Sequence, residues 1–361
     1  MADLDAPDIA AGDTLGIFTQ TGRAPEMLDA ALAGAEDVAI PFPADAVHDV
    51  VLCGMGGSAI AGSLLTGAYW QRLRKPVQPL RGYMLPAWAG ESTLVVASSY
   101  SGTTEETLTC MMDAVDRTCP VIAITSGGKL RDHYAPQDIP VFDVPPSPMP
   151  RAALVQMLTT LVAALSRMGV LELHPGETDD AREVLESAVT RYGPARPERD
   201  NPAKQIARRL HGTVPLIMGG EVTSAIAYRW KCQINENANN PAFWSDVPEQ
   251  NHNEIVGVEG HGRVGLRTSV VMLRDPRQHR QVERRFGVLA TLMAGHVDPI
   301  IDVMAPGQTS LGRLFDLVLL GDYVSLYMAV LADVDPGPIT IIDRLKVALA
   351  EAPYGRTARG A

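Results

Sequence analysis

Between Ser98 and Leu108 the chain reads SSYSGTTEETL, with four hydroxyl residues, Ser99, Ser101, Thr103 and Thr104, crowded around Gly102. One Ser or Thr caps a helix by accepting from its first free N–H groups, and the acids Glu105 and Glu106 suit a first turn. Four hydroxyls exceed that need. A phosphate monoester presents several acceptor oxygens and calls for several neutral donors converging on it. A second stretch, GMGGSAIAG (54–62), points the same way. Its glycines let the backbone approach a ligand closely, and Ser58 falls at a helix start, where free N–H groups and the helix dipole favour an anion. It is not a clean GxGxxG, because Ser58 and Ala59 occupy the stretch where the third glycine belongs, and GxxxxGK[ST] is absent, which argues against dinucleotides and nucleoside triphosphates.

Both stretches need a strand before them and a helix after. DVVLCG (49–54), TLVVASS (93–99), PVIAIT (120–125) and IPVFDV (139–144) are short apolar runs alternating with helical segments, the pattern of a parallel sheet covered on both faces. A helix is expected at 25–34 and a strong one at 151–168. The polar interval LHPGETDDAR then marks a boundary, and the design recurs: strand 213–219, helix 221–239, strands 268–274 and 297–302 separated by a charged helix at 277–291, and last helices at 308–332 and 341–350. The expectation is α/β: two doubly wound parallel-sheet domains, each an αβα sandwich. The expected division is a helical segment 1–45, a first domain 46–172, a second domain with C-terminal helix 173–355, and a tail 356–361. In such sheets ligands bind at the carboxyl ends of the strands, where both glycine-bearing loops lie.

The 361 residues carry a formal net charge of −11, with 46% hydrophobic and 20% charged residues. This excludes a generic nucleic-acid or anionic-membrane binder, so an anion must be held locally. The four cysteines, Cys53, Cys110, Cys119 and Cys232, form no CxxC pair, which argues against zinc and a disulfide framework; Cys53 and Cys232 read as buried structural thiols. No metal and no cofactor is expected. Apolar runs are read as breaking before the ~18 residues of a membrane helix. The acidic opening lacks the order of a signal peptide, so a cytoplasmic location is expected.

Taken together, GMGGSAIAG (54–62) and SSYSGTTEET (98–107) resemble the sugar isomerase domain, a phosphosugar-binding module. NENANNPAFWSDVPEQNHNEIVG (235–257), PRAAL (150–154) and VDPGPITIIDRLK (334–346) resemble the bifunctional phosphoglucose/phosphomannose isomerase family. The resemblance implies two sugar isomerase domains per chain, a homodimer, and conversion of glucose 6-phosphate, with mannose 6-phosphate, to fructose 6-phosphate. It places Gly57, Ser58, Ser99, Ser101 and Thr104 on the phosphate, Arg151 near C1 and C2, and Glu236 as catalytic base. It brings His252 from the neighbouring subunit for ring opening, and Lys346 from the C-terminal helix.

The chemistry agrees with those residue types. An aldose–ketose isomerisation opens the ring and moves a proton between C1 and C2 through an enediol. It needs a carboxylate, a cation beside the developing oxyanion and an acid–base group. Without the resemblance each residue has a plainer reading: Glu236 as a surface carboxylate near a helix end, His252 as a loop imidazole between two asparagines, Lys346 as part of a solvated face. Arg151 opens a helix against the dipole, its approach stiffened by Pro145, Pro146, Pro148 and Pro150. His211, His261, His279 and His296 read as non-catalytic, and Trp244 as packing beside His252. One departure concerns mannose 6-phosphate: Ile339 stands where the family has a threonine, with Thr340 next to it. A non-catalytic phosphosugar-binding regulator, or an isomerase of another sugar phosphate, is the alternative.

Overall fold

The computed structural model describes residues 2–132 and 139–351, so the expected tail 356–361 and the stretch 352–355 before it lie outside the described residues. The chain opens with α1 (Ile17–Gly22) and α2 (Ala24–Glu36). Then come β1 (Asp49–Cys53), α3 (Gly56–Tyr69), β2 (Val77–Leu80), β3 (Thr93–Ser98), α4 (Glu105–Asp116), β4 (Val121–Thr125), α5 (Gly128–Asp132), β5 (Val141–Asp143) and α6 (Leu154–Arg167). All five strands are parallel, in the order β2-β1-β3-β4-β5.

The second half repeats the plan. It comprises α7 (Glu177–Tyr192), α8 (Pro202–Leu210), β6 (Val214–Gly220), α9 (Val222–Ala238), β7 (Phe243–Val247), α10 (Ile255–Val258), β8 (Thr268–Arg274), α11 (Arg280–Met293), β9 (Ile300–Met304), α12 (Ser310–Ala332) and α13 (Thr340–Glu351). Its sheet is parallel, in the order β7-β6-β8-β9. The chain is α/β, built on two doubly wound parallel sheets, as the strand–glycine–helix recurrence implies.

Side-chain alternation along the strands divides the interior into three parts. Val50 and Leu52 of β1 face one large core together with Ile217 of β6 and Val271 of β8. Val51 and Cys53 face the other way, onto Cys110, Met111 and Ala114 of α4. Met218 and Val270 meet Phe286 and Leu289 of α11. The two sheets thus share a central helical layer, with α12 packed against α7, α8 and α9. By length and composition Ser310–Ala332 could cross a membrane, contrary to the reading that no segment qualifies; 94% of its apolar window is buried inside the fold. A helix apolar all round belongs to a core as readily as to lipid.

Other differences have local causes. Strands β2 and β7 were not expected, because VQPL and FWSDV are edge strands without an apolar run. The 297–302 strand begins only at Ile300, after Pro299, which has no N–H for a ladder. The charged helix begins at Arg280, where the His279 side chain accepts from Gln281 N–H at 3.1 Å. Cys53 is buried as read, whereas Cys232 is half-buried.

Candidate active site

The two glycine-bearing loops meet at the carboxyl edge of the first sheet. A side chain at Gly54 would put its Cβ 2.9 Å from the Ser98 carbonyl oxygen, so only glycine lets β1 turn there into α3. Gly102 has φ +64, and a Cβ there would collide with the Gly127 carbonyl. The loops are then stitched together: the Tyr100 N–H donates to Ser58 Oγ at 3.1 Å, and Ser99 Oγ lies 2.7 Å from Thr104 Oγ1. Ser101 Oγ accepts from the Thr103 N–H and hydroxyl at 3.3 and 3.1 Å.

The N-cap residues Met55 of α3 and Thr104 of α4 make no side-chain capping hydrogen bond. The simple capping explanation of the hydroxyl cluster therefore fails. The first-turn N–H groups of two helices, with Ser58, Ser99, Ser101 and Thr104 around them, form a cradle suited to a phosphate.

Arg151 stands beside this cradle. It belongs to a 3₁₀ turn, Pro150–Ala153, that leads into α6 and presses on the first turn of α3. At Gly57 an added Cβ would come within 3.3 Å of the Pro150 carbonyl oxygen. The proline-rich approach is clamped as well: the Tyr100 hydroxyl donates to the Ser147 carbonyl at 3.0 Å, and Gln156 Nε2 to the Pro145 carbonyl at 3.0 Å. The Arg151 residue is 3% exposed. Burial pushes its pKa below the ordinary value, with the Glu236 charge opposing that; a guanidinium stays protonated regardless.

Glu236 comes from the other half of the chain. It sits two residues before the end of α9, and its Oε2 lies 3.9 Å from Arg151 Nη1. That Nη1 is buried without a hydrogen-bond partner. A buried cationic nitrogen without a hydrogen-bond partner, facing a partly exposed carboxylate, is an uncommon arrangement and makes the pair a candidate for function. Gly57, Ser58, Ser99, Ser101, Thr104, Arg151 and Glu236 are thus brought to one region.

His252 and Lys346 are not brought there within the chain. His252 is exposed, on the 3₁₀ turn Glu249–His252 that follows β7 at the carboxyl edge of the second sheet. Its neighbour Asn251 accepts from Arg285 of α11 at 3.1 Å. Helix α9 starts at that edge, since Val247 pairs with Gly220, and runs about 21 Å from Val222 to Glu236 by the helical rise. Trp244, on β7, meets the Tyr228 ring edge-on at 5.4 Å. Lys346 lies on α13 with its side chain 73% exposed, 4.0 Å from Asp343.

Sequence reasoning missed the residues that hold Arg151. Asn237 Oδ1 accepts from its Nε at 2.6 Å, and the carbonyls of Pro336 and Gly337 accept from its Nη2, the latter at 2.9 Å. Arg229 Nη2 donates to the Arg151 carbonyl at 2.7 Å. Asn237 lies inside the NENANN motif, adjacent to Glu236, which was the available signal.

Paired parallel sheets with a hydroxyl-lined cradle on the first define the sugar isomerase domain class. Residues 199–349 match a family model described as the bacterial phospho-glucose isomerase C-terminal SIS domain. A bifunctional phosphoglucose/phosphomannose isomerase from Caldicellulosiruptor bescii is 38% identical over 336 residues, covering 93% of this chain and 99% of that protein. Another from Aquifex aeolicus is 33% identical over 300 residues, covering 82% and 89%. Among solved structures, a glucose-6-phosphate isomerase like protein from Thermus thermophilus superposes with TM-score 0.63 at 20% identity, over 96% of this chain and 99% of that one, which is a likeness of fold. The chain belongs to the bifunctional phosphoglucose/phosphomannose isomerase family.

Proposed function

We propose that this chain interconverts glucose 6-phosphate and mannose 6-phosphate with fructose 6-phosphate. The observation that carries this reading is the buried, unpartnered Arg151 Nη1 beside Glu236, next to a phosphate cradle. The phosphate sits on the first-turn N–H groups of α3 and α4 and on the hydroxyls of Ser58, Ser99, Ser101 and Thr104, at Gly57. The open-chain sugar then extends toward Arg151. The Glu236 carboxylate takes the C2 proton of the aldose as the C1 carbonyl becomes an enediol, and returns it to C1 while the hydroxyl proton passes from O2 to O1, which gives the ketose. Arg151 Nη1 donates to the oxygen that gains charge. Because this guanidinium supplies the cation, the reaction as drawn calls for no metal ion.

Ring opening needs a further acid–base group, and His252 of the same chain lies at the far end of α9. We assign that role to the partner's His252 in a homodimer. Exposed Ile341, Leu345, Val347 and Leu349 give α13 an apolar surface for such a partner. We assign Lys346 to the ring oxygen on the same assembly: α13 begins three residues beyond Gly337, whose carbonyl accepts from Arg151. The enzyme works in the cytoplasm on this reading, where its ionised substrates are retained.

The test is a coupled assay with chelator present, giving fructose 6-phosphate and mannose 6-phosphate separately. Turnover of both is expected. Turnover of fructose 6-phosphate alone would give weight to Ile339 as a barrier to the C2 epimer. Binding without turnover of either would make the chain a phosphosugar-binding regulator.

A further inference from the structure

The value of Arg151 to an oxyanion depends on which nitrogen it presents. Nε is committed to Asn237 and Nη2 to two carbonyls, leaving Nη1. Asn237 is wholly buried, and its own amide is locked. Its Nδ2 donates to Ser325 Oγ at 2.9 Å, and Ser325 passes its single hydroxyl proton to the Asp322 carbonyl at 2.7 Å. Ser325 can therefore only accept from Asn237, which fixes the amide nitrogen toward α12 and the amide oxygen toward Arg151. The backbone of Arg151 is held by a second strut. Arg229 donates to its carbonyl and is gripped by both oxygens of Asp322 at 3.0 Å. Asp322 and Ser325 lie on α12, Arg229 and Asn237 on α9, and all four are buried.

We infer that Asn237 is a positioning residue for the isomerisation: it carries the orientation set by Ser325 of α12 to the Arg151 guanidinium, so that Nη1 faces the reacting oxygens. This rests on the isomerase reading given above. Misplacement by about 1 Å costs an enzyme on the order of 100-fold in rate. Asn237→Ala is accordingly expected to lower kcat about 100-fold, with KM within about three-fold, since the phosphate cradle is untouched. Asn237→Asp keeps an acceptor oxygen facing Nε. It is expected to recover much of that kcat while moving the acid limb of the pH–rate profile upward, because a second carboxylate beside Glu236 disfavours its ionisation.

The experiment measures kcat, KM and pH profiles for fructose 6-phosphate on wild type and both variants, with melting temperatures to confirm folding. A folded Asn237→Ala enzyme with kcat within two-fold of wild type overturns the inference. So does an Asn237→Asp enzyme with no recovery and an unmoved acid limb. Should Asn237→Ala fail to fold, Ser325→Ala decides instead. It removes the acceptor of the Asn237 Nδ2 and leaves that amide held through Arg151 alone, and is expected to lower kcat about ten-fold; unchanged kcat overturns the inference. A wild-type enzyme without turnover removes the isomerase reading itself, and this inference with it.

Discussion

Oε2 of Glu236 lies 3.9 Å from Nη1 of Arg151, although 85 positions of sequence separate the two residues. The gap is too long for a good hydrogen bond, so the two opposite charges face each other without a direct proton bridge. Glu236→Gln keeps the shape and deletes the base. It is expected to lower kcat by about 10³-fold while fructose 6-phosphate still binds. Single-turnover kinetics and calorimetric titration check this; near-normal kcat would remove Glu236 from the mechanism.

Arg151→Lys is expected to cost about 100-fold in kcat. A lysine offers one nitrogen, which cannot reach Asn237, the two carbonyls and the substrate together. Steady-state rates at saturating substrate measure it.

The cradle should govern binding more than chemistry. Ser99→Ala combined with Thr104→Val removes the 2.7 Å hydroxyl pair. KM for fructose 6-phosphate and the inhibition constant of inorganic phosphate are each expected to rise about ten-fold, with kcat within a few-fold. A selective fall in kcat would contradict the placement of the phosphate.

If His252 serves a neighbour's site, two broken chains can mend one another. Mixtures of Glu236→Gln and His252→Ala chains, dissociated and reassociated, are expected to regain activity in the heterodimer, where one site receives both intact residues. Verified heterodimers without recovery would place His252 outside the shared site.

Acid stability should depend on Glu177 and Arg72, which form a bidentate pair at 2.8 and 2.7 Å with the Glu177 side chain 1% exposed. Burial raises the Glu177 pKa, but pairing with Arg72 outweighs it and the carboxyl falls below its ordinary 4.5. The pair's contribution is therefore present above that value and is lost as pH falls through the lowered one. Glu177→Gln is expected to cost about 3 kcal/mol at neutral pH by stranding Arg72, and to flatten the acid limb of the stability curve. Denaturant unfolding across pH 3–7 measures both.

The sheets were legible because buried parallel strands such as DVVLCG and TLVVASS are unbroken apolar runs. The edge strands β2 and β7 were not, since VQPL has no apolar run and Phe243 and Trp244 of β7 are 60% and 38% exposed. The hydroxyl cluster at 99–104 stood out in the sequence because its residues are near neighbours, whereas Ser58 comes from a separate loop and joins it only through the Tyr100 N–H. Glu236 and Arg151 came from family likeness, since nothing in their local sequence says that α9 ends beside the Pro150–Ala153 turn. Arg229 and Asp322 were out of reach, since their pairing exists only once α12 lies against α9, and Asn237 was signalled only by its place beside Glu236.

The helical layer between the two sheets has a consequence for how this protein can change. Leu4 near the start, the inner faces of both sheets and α12 near the end belong to a single hydrophobic cluster. Gly321 on α12 is tight enough that a methyl group would stand 2.3 Å from the indole nitrogen of the buried Trp230. The halves are duplicates in plan but not interchangeable cassettes: each keeps an outer core of its own, yet the inner face of its sheet is buried only against the layer that both share. A lineage can decorate the outer loops freely, while the seam between the copies must vary on both sides at once or not at all.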